Sequence, residues 1–211
     1  MTTDKIVVYS DGGGAEKAMK EAERVAAFHG MNEEDAMFLR LLAEEMMGLV
    51  RAITGSFEGE FWIESDEKDY RLCLRADACM DKEKKKEMIA LSSRKKNEST
   101  VGIMELIRNM MEGHMLRQEE AEAETDETDP MDPFYLGTVG MREADALSCV
   151  DFEWSLLQYR CKVEESRKKS EEMEEAWDQL EKSIVANVAD DVRVGVRGDI
   201  VELTISRHFG K

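Results

Sequence analysis

Residues 5–10 read KIVVYS, a β-branched apolar run, and Asp11-Gly12-Gly13-Gly14 ends it before an alanine-rich stretch over 15–29. The pattern predicts a strand, a turn and a helix. The glycine turn has neither the GxGxxG spacing nor the GK[ST] ending of a phosphate cradle, so it reads as a flexible connection with Asp11 near the helix start. Gly30 is placed to stop that helix. Asn32, followed by Glu33, Glu34 and Asp35, is placed to cap the next one with negative charge in its first turn. From residue 33 to 53, Met37, Phe38, Leu41, Leu42, Met46, Leu49, Val50 and Ile53 recur at three- and four-residue steps, which predicts a helix with one broad apolar stripe.

Period-two alternation then takes over in residues 57–64 and 70–76, joined by Ser65-Asp66-Glu67-Lys68-Asp69, and predicts a β-hairpin. A basic segment follows over 82–96, and Ser99-Thr100-Val101-Gly102 opens a helical pattern to about residue 111. Further on, Leu147, Val150, Trp154, Leu157 and Cys161, then Met173, Trp177, Leu180 and Ile184, step by threes and fours. These predict two packed helices or one long helix with an exposed middle. Residues 192–196 and 200–205 flank Arg197-Gly198-Asp199 and read as a second hairpin.

Composition changes this picture in one place. Residues 118–133, QEEAEAETDETDPMDP, hold eight acidic and no basic side chains and both prolines of the protein, a composition that cannot bury a core. The whole chain of 211 residues has a net charge of -18. That excess argues against nucleic acid or an anionic membrane as the main partner, because both would repel the average surface. No apolar run approaches the roughly 20 residues of a bilayer span, and the first residues lack the basic and apolar regions of a signal peptide, so a cytoplasmic protein is expected. Cys73, Cys79, Cys149 and Cys161 contain no CxxC pair, and His29, His114 and His208 are far apart in sequence. Reduced thiols are therefore expected, with neither a zinc site nor a disulfide framework.

The predicted order is strand, helix, amphipathic helix with paired glutamates, hairpin, an aspartate at a strand end, and a helix opened by glycine. This order resembles the GHKL ATPase fold, the superfamily of histidine-kinase ATP-binding domains and anti-sigma-factor serine kinases. The resemblance covers residues 35–111 and implies an α/β class of α+β two-layer type, with a mixed or antiparallel sheet and helices on one face. A core over 1–112, an acidic loop over 113–140, a helical insertion over 141–190 and a sheet-completing hairpin over 191–211 are the expected divisions.

By similarity, Glu44 in LLAEEMMGLV takes the place of the family's nucleophile-activating glutamate, with Glu45 beside it. The place of the magnesium-holding asparagine, four residues on, is Gly48. Asp77 in LRADACMD stands where the family's aspartate accepts a hydrogen bond from the adenine amino group, although Ala78, Cys79 and Met80 replace the usual glycines. The lid resembles SSRKKNESTVGIMELI. There Gly102 matches the last glycine before a helix, Thr100 offers phosphate a donor, and Arg94, Lys95, Lys96 and Asn97 supply charge and polar groups.

The resemblance implies ATP as ligand, with magnesium beside it, and a regulatory module acting on a protein partner in which the catalytic pattern is degenerate. An active anti-sigma-type serine kinase or ATPase with Glu44 or Glu45 as base is the first alternative. A nucleotide-free interaction scaffold is the second, in which the long helices with Trp154 and Trp177 form a homodimer seam or docking face, or bury those tryptophans in their own core.

Overall fold

The computed structural model describes residues 1–54, 56–77, 152–167, 171–197 and 200–210. The expected acidic loop, the basic segment and the helix opened by Gly102 lie outside these residues. Among the described residues, six strands form one antiparallel sheet: β1 (Ile6–Tyr9), β2 (Glu58–Asp66), β3 (Asp69–Asp77), β4 (Phe152–Ser155), β5 (Asp191–Arg197) and β6 (Ile200–His208), in the order β1-β2-β3-β6-β5-β4. The helices are α1 (Ala15–Phe28), α2 (Glu33–Thr54), α3 (Leu156–Ser166), α4 (Glu171–Lys182) and α5 (Ile184–Val188). The α+β class and the C-terminal hairpin after the helices agree with the sequence.

Alternation along the strands sets which face is covered. Phe61 and Ile63 of β2, Leu72 and Leu74 of β3, Val201, Leu203 and Ile205 of β6, and Val192 and Val194 of β5 are all buried. Because successive strand residues point to opposite faces, these register-matched positions form one apolar surface. Leu39, Leu42, Met46, Leu49 and Val50 bring the stripe of α2 into the same core, where the helix packs against β3 and β6. The other face carries alternating charge, including the Glu64–Arg71 pair at 2.8 Å.

Local signals in α1 and α2 work as the sequence suggested. Gly30, at φ 63°, donates to the Ala27 carbonyl while Met31 donates to Ala26, the paired backbone bonds that close a helix on a left-handed residue. Asn32 Oδ1 accepts the Asp35 N–H at 2.8 Å and caps α2. The glycine turn after β1 is tighter than a flexible connection. Tyr9 N–H donates to Gly13 O at 2.8 Å and Gly12 N–H donates back to Tyr9 O at 3.0 Å. Gly14, at φ 82°, lies so close to β1 that a Cβ there would sit 2.1 Å from the Val7 carbonyl oxygen. The turn thus folds onto the outer edge of β1 and occupies backbone groups that a foreign strand would otherwise find.

The helical reading of the third quarter of the chain needs correction. Residues 152–155 are an edge strand, with Trp154 opposite Val194, and the helix begins only at Leu156. A buried polar junction enforces the change of direction. Asp191 Oδ1 accepts from Ser155 Oγ at 2.9 Å and from the Leu157 N–H at 3.0 Å, Asp191 Oδ2 accepts from Arg193 Nε at 2.9 Å, and Ser155 Oγ caps α3 by accepting from Gln158 N. Trp154 is therefore not on a helix and offers no seam; it is fully buried against Tyr159, with ring centroids 5.9 Å apart. Trp177 on α4 is partly buried against the same core. Leu147 and Val150 lie outside the described residues. No helix among the described residues is long and apolar enough to cross a membrane.

Candidate functional site

Two ends of the sheet carry chemistry, and they differ in how their charges are engaged. At the β2–β3 hairpin end a cleft of about 550 Å3 is lined by Glu64, Asp69, Arg71, Asp190, Arg207 and His208, among others. It is self-neutralised: Arg71 pairs with Glu64, His208 Nδ1 lies 2.7 Å from Asp69 Oδ1, and Asp190 takes Arg207 Nη1 at 3.3 Å and the His208 N–H at 2.6 Å. No local pattern marks this cleft, because its members are dispersed along the chain and meet only through strand pairing.

The opposite end holds Asp77, the glycine turn and the C-terminus of α2, whereas Glu44 and Glu45 lie midway along that helix and are not brought to Asp77. Asp77 closes β3 and pairs with Glu58, where β2 begins, and with Ile200, where β6 begins. Tyr9, at the end of β1, also pairs with Glu58, and the Ser10 N–H donates to Phe57 O, so the glycine turn lies at this end. Helix α2 runs towards it and ends at Thr54, whose hydroxyl donates to the Val50 carbonyl at 2.8 Å. Glu44, Gly48 and Arg51 share one face of α2, since steps of four and three residues nearly close whole turns. Burial agrees: Glu44 and Arg51 are exposed and Gly48 is half-buried on the side away from the core.

Arg51 was missed by sequence reasoning, which stopped at the two glutamates. Its signal was available, seven residues beyond Glu44 and the one basic residue in the last turn of α2. Its Nη2 lies 3.4 Å from where a Cβ on Gly12 would stand, so the guanidinium rests over the glycine turn. Asp77 is exposed, and neither its carboxylate nor those of Glu44 and Glu45 has a hydrogen bond or ion pair among the described residues. Lys95, Lys96, Asn97, Thr100 and Gly102 lie outside the described residues, as does Arg94.

Glu45 is half-buried, and burial first, the charge of Glu44 second, pushes its carboxyl above the usual carboxylate range. The native state therefore holds this proton to higher pH than the unfolded chain does, and the resulting loss of stability is present at neutral pH and vanishes in acid. Glu45→Gln is expected to melt at a higher temperature than the parent at pH 7, with the difference gone near about pH 3.5, below the usual carboxylate range. Equal melting temperatures at pH 7 would mean that Glu45 is not desolvated. Burial likewise pushes the Cys73 thiol up to about 11, which keeps it neutral and unreactive on the sheet.

Magnesium, which the family resemblance implies, is not accommodated by these residues. Gly48 has no ligand atom to offer, and among the described residues no group of three or more His, Cys, Asp or Glu side chains is arranged to hold an ion. The adenine side of the ligand fits better: Asp77 presents an unengaged, exposed carboxylate that can accept an amino hydrogen. Comparison with protein families, with curated proteins and with solved structures returned no match.

Proposed function

We propose that this chain is a degenerate histidine-kinase-like module that binds an adenine nucleotide and uses it to regulate a protein partner. One observation carries the reading: the face of α2 bearing Glu44, Gly48 and Arg51 runs towards the sheet end where β3 finishes in the open carboxylate of Asp77. Adenine would sit on Asp77, whose carboxylate lies on the open face of the sheet, and the phosphates would pass round the sheet end towards the turn covered by Arg51. Phosphoryl transfer is not part of this reading. It depends on positioning and charge stabilisation around the phosphate, and position 48 supplies neither.

Calorimetric titration with ATP and a non-hydrolysable analogue tests the reading. Saturable binding, weakened about tenfold or more by Asp77→Asn, is expected, in line with the loss of one hydrogen bond to a charged acceptor. A folded protein that takes up no nucleotide at millimolar concentration would remove it. That result would favour the nucleotide-free interaction module, which has its own support in the exposure of Phe28 (72%) and Met37 (56%) on either side of the α1–α2 connection. An active ATPase differs from the proposed module by turnover, which the same titration detects as heat continuing after saturation with ATP but not with the analogue, whereas an active serine kinase shows it only once a phosphoacceptor protein is added.

A further inference from the structure

The arginines of the described residues form a nearly complete set of satisfied charges. Six pair with carboxylates, Arg160 donates to the Ala186 carbonyl, Arg167 lies over the Trp177 ring and Arg197 is also engaged. Arg51 stands apart, with no carboxylate, carbonyl or ring as partner, in a chain whose net charge is -18. A cation in the last turn of a helix is favoured by the helix dipole, and this accounts for a basic residue near position 51. It does not account for the reach of the guanidinium back over Gly12, where Nη2 lies 3.4 Å from the position a Cβ would take, an ordinary contact distance.

The charge arithmetic of the site points the same way. A polyphosphate brought to this end of the sheet needs positive charge, and the resemblance would have it come from magnesium held by the residue at position 48. Gly48 cannot do this. One turn further along the same face, Arg51 brings a planar, permanently charged fork that matches two phosphate oxygens at once.

We propose that Arg51, in place of a divalent cation, takes the phosphate charge at this site, so that the ligand is a metal-free polyphosphate. This inference rests on the nucleotide reading and deepens it. Two consequences follow from the chemistry. Binding needs no magnesium, and added magnesium does not tighten it, because the ion competes with Arg51 for the same oxygens. The bound phosphates lack the metal that neutralises the transition state of transfer, so the nucleotide acts as a signal and is not consumed.

The test is titration of the full chain with ATP and with inorganic tripolyphosphate, each in EDTA and in excess magnesium. The parent, Arg51→Gln, Arg51→Lys and Asp77→Asn are compared, with matching circular dichroism and melting temperatures to show that each is folded. The expected result is ATP binding in EDTA that magnesium does not strengthen, weakened tenfold or more by Arg51→Gln and less by Arg51→Lys. Asp77→Asn should weaken ATP and leave tripolyphosphate unchanged. If ATP binds only with magnesium, or equally well to Arg51→Gln, the role of Arg51 is overturned while the nucleotide reading stands. If tripolyphosphate binds through Arg51 but ATP binds no better and Asp77→Asn changes nothing, the anion site stands and the adenine reading falls. If neither ligand binds, both fall.

Discussion

Trp154→Ala is expected to destabilise the protein by about 3–5 kcal/mol, the range for truncating a large buried aromatic side chain. In a chain of this length that lowers the melting temperature by roughly 6–20 °C. The size of the effect follows from position. Trp154 is fully buried although it belongs to a four-residue edge strand, and its ring fills the corner between β5, across which it faces Val194, and α3, from which Tyr159 reaches it. Helix α3 is tied to β5 by its own packing and by the Asp191 junction, so it is not free to move in and fill the hole. Trp177→Ala is the internal comparison. That ring is only partly buried, donates to Glu181 Oε1 at 2.7 Å and has Arg167 above it, so its loss should cost far less. Urea unfolding of both variants at two protein concentrations decides the matter. A Trp154→Ala protein within about 1 kcal/mol of the parent, or a midpoint that shifts with concentration, would return this residue to an interface role.

Gly14→Ala is expected to cost about 2–5 kcal/mol. A left-handed backbone charges an L-residue about 1–2 kcal/mol. The remainder comes from the Val7 carbonyl oxygen, 2.1 Å from the new Cβ, which is backbone and can yield only if the turn peels away from β1. Peeling breaks the reciprocal bonds between Tyr9 and the turn, each worth about 0.5–1.5 kcal/mol. Gly12→Ala separates conformational strain from the clash. It too sits at positive φ, but its nearest neighbour is the tip of Arg51 at 3.4 Å, a flexible end that can swing aside, so a cost of about 1–2 kcal/mol is expected. Equal melting temperatures for the two variants would show that the close approach of Gly14 to β1 contributes nothing to stability.

Much of this fold is legible in the sequence because local and tertiary preferences coincide. The stripe of α2, the Asn32 cap, the Gly30 stop and both hairpins each follow from a period or a turn signal that packing then reinforces. The strand at 152–155 was hidden because Trp154, Leu157 and Cys161 keep a helical step across a strand-to-helix junction. Only Ser155 and Gln158, spaced as a helix cap and its third residue, mark where the helix begins, and what holds the strand extended is Asp191, far away in sequence. The site shows the same division. Glu44, Glu45 and Asp77 could be placed from their elements, whereas the isolation of Arg51 shows only against the pairings of the other arginines, some local, such as Arg24 with Glu21, and others between distant segments, such as Arg40 with Glu23 and Arg75 with Glu202.

The position of β6 has a consequence for how the protein is made. This strand lies in the interior of the sheet, between β3 and β5, yet it follows every other strand in the chain. On the ribosome, the β2–β3 hairpin emerges long before its neighbour, and the free edge of β3 must wait for a partner from the opposite half of the sequence, a pairing that is slow because the intervening chain must first be closed into a loop. Asp69, Arg71, Arg75 and Asp77 alternate along that waiting edge. Charges of both signs at four of the five positions on that face, Cys73 being the exception, make it a poor template for another nascent chain, so the strand guards itself during synthesis with the same residues that later line the open face of the finished sheet.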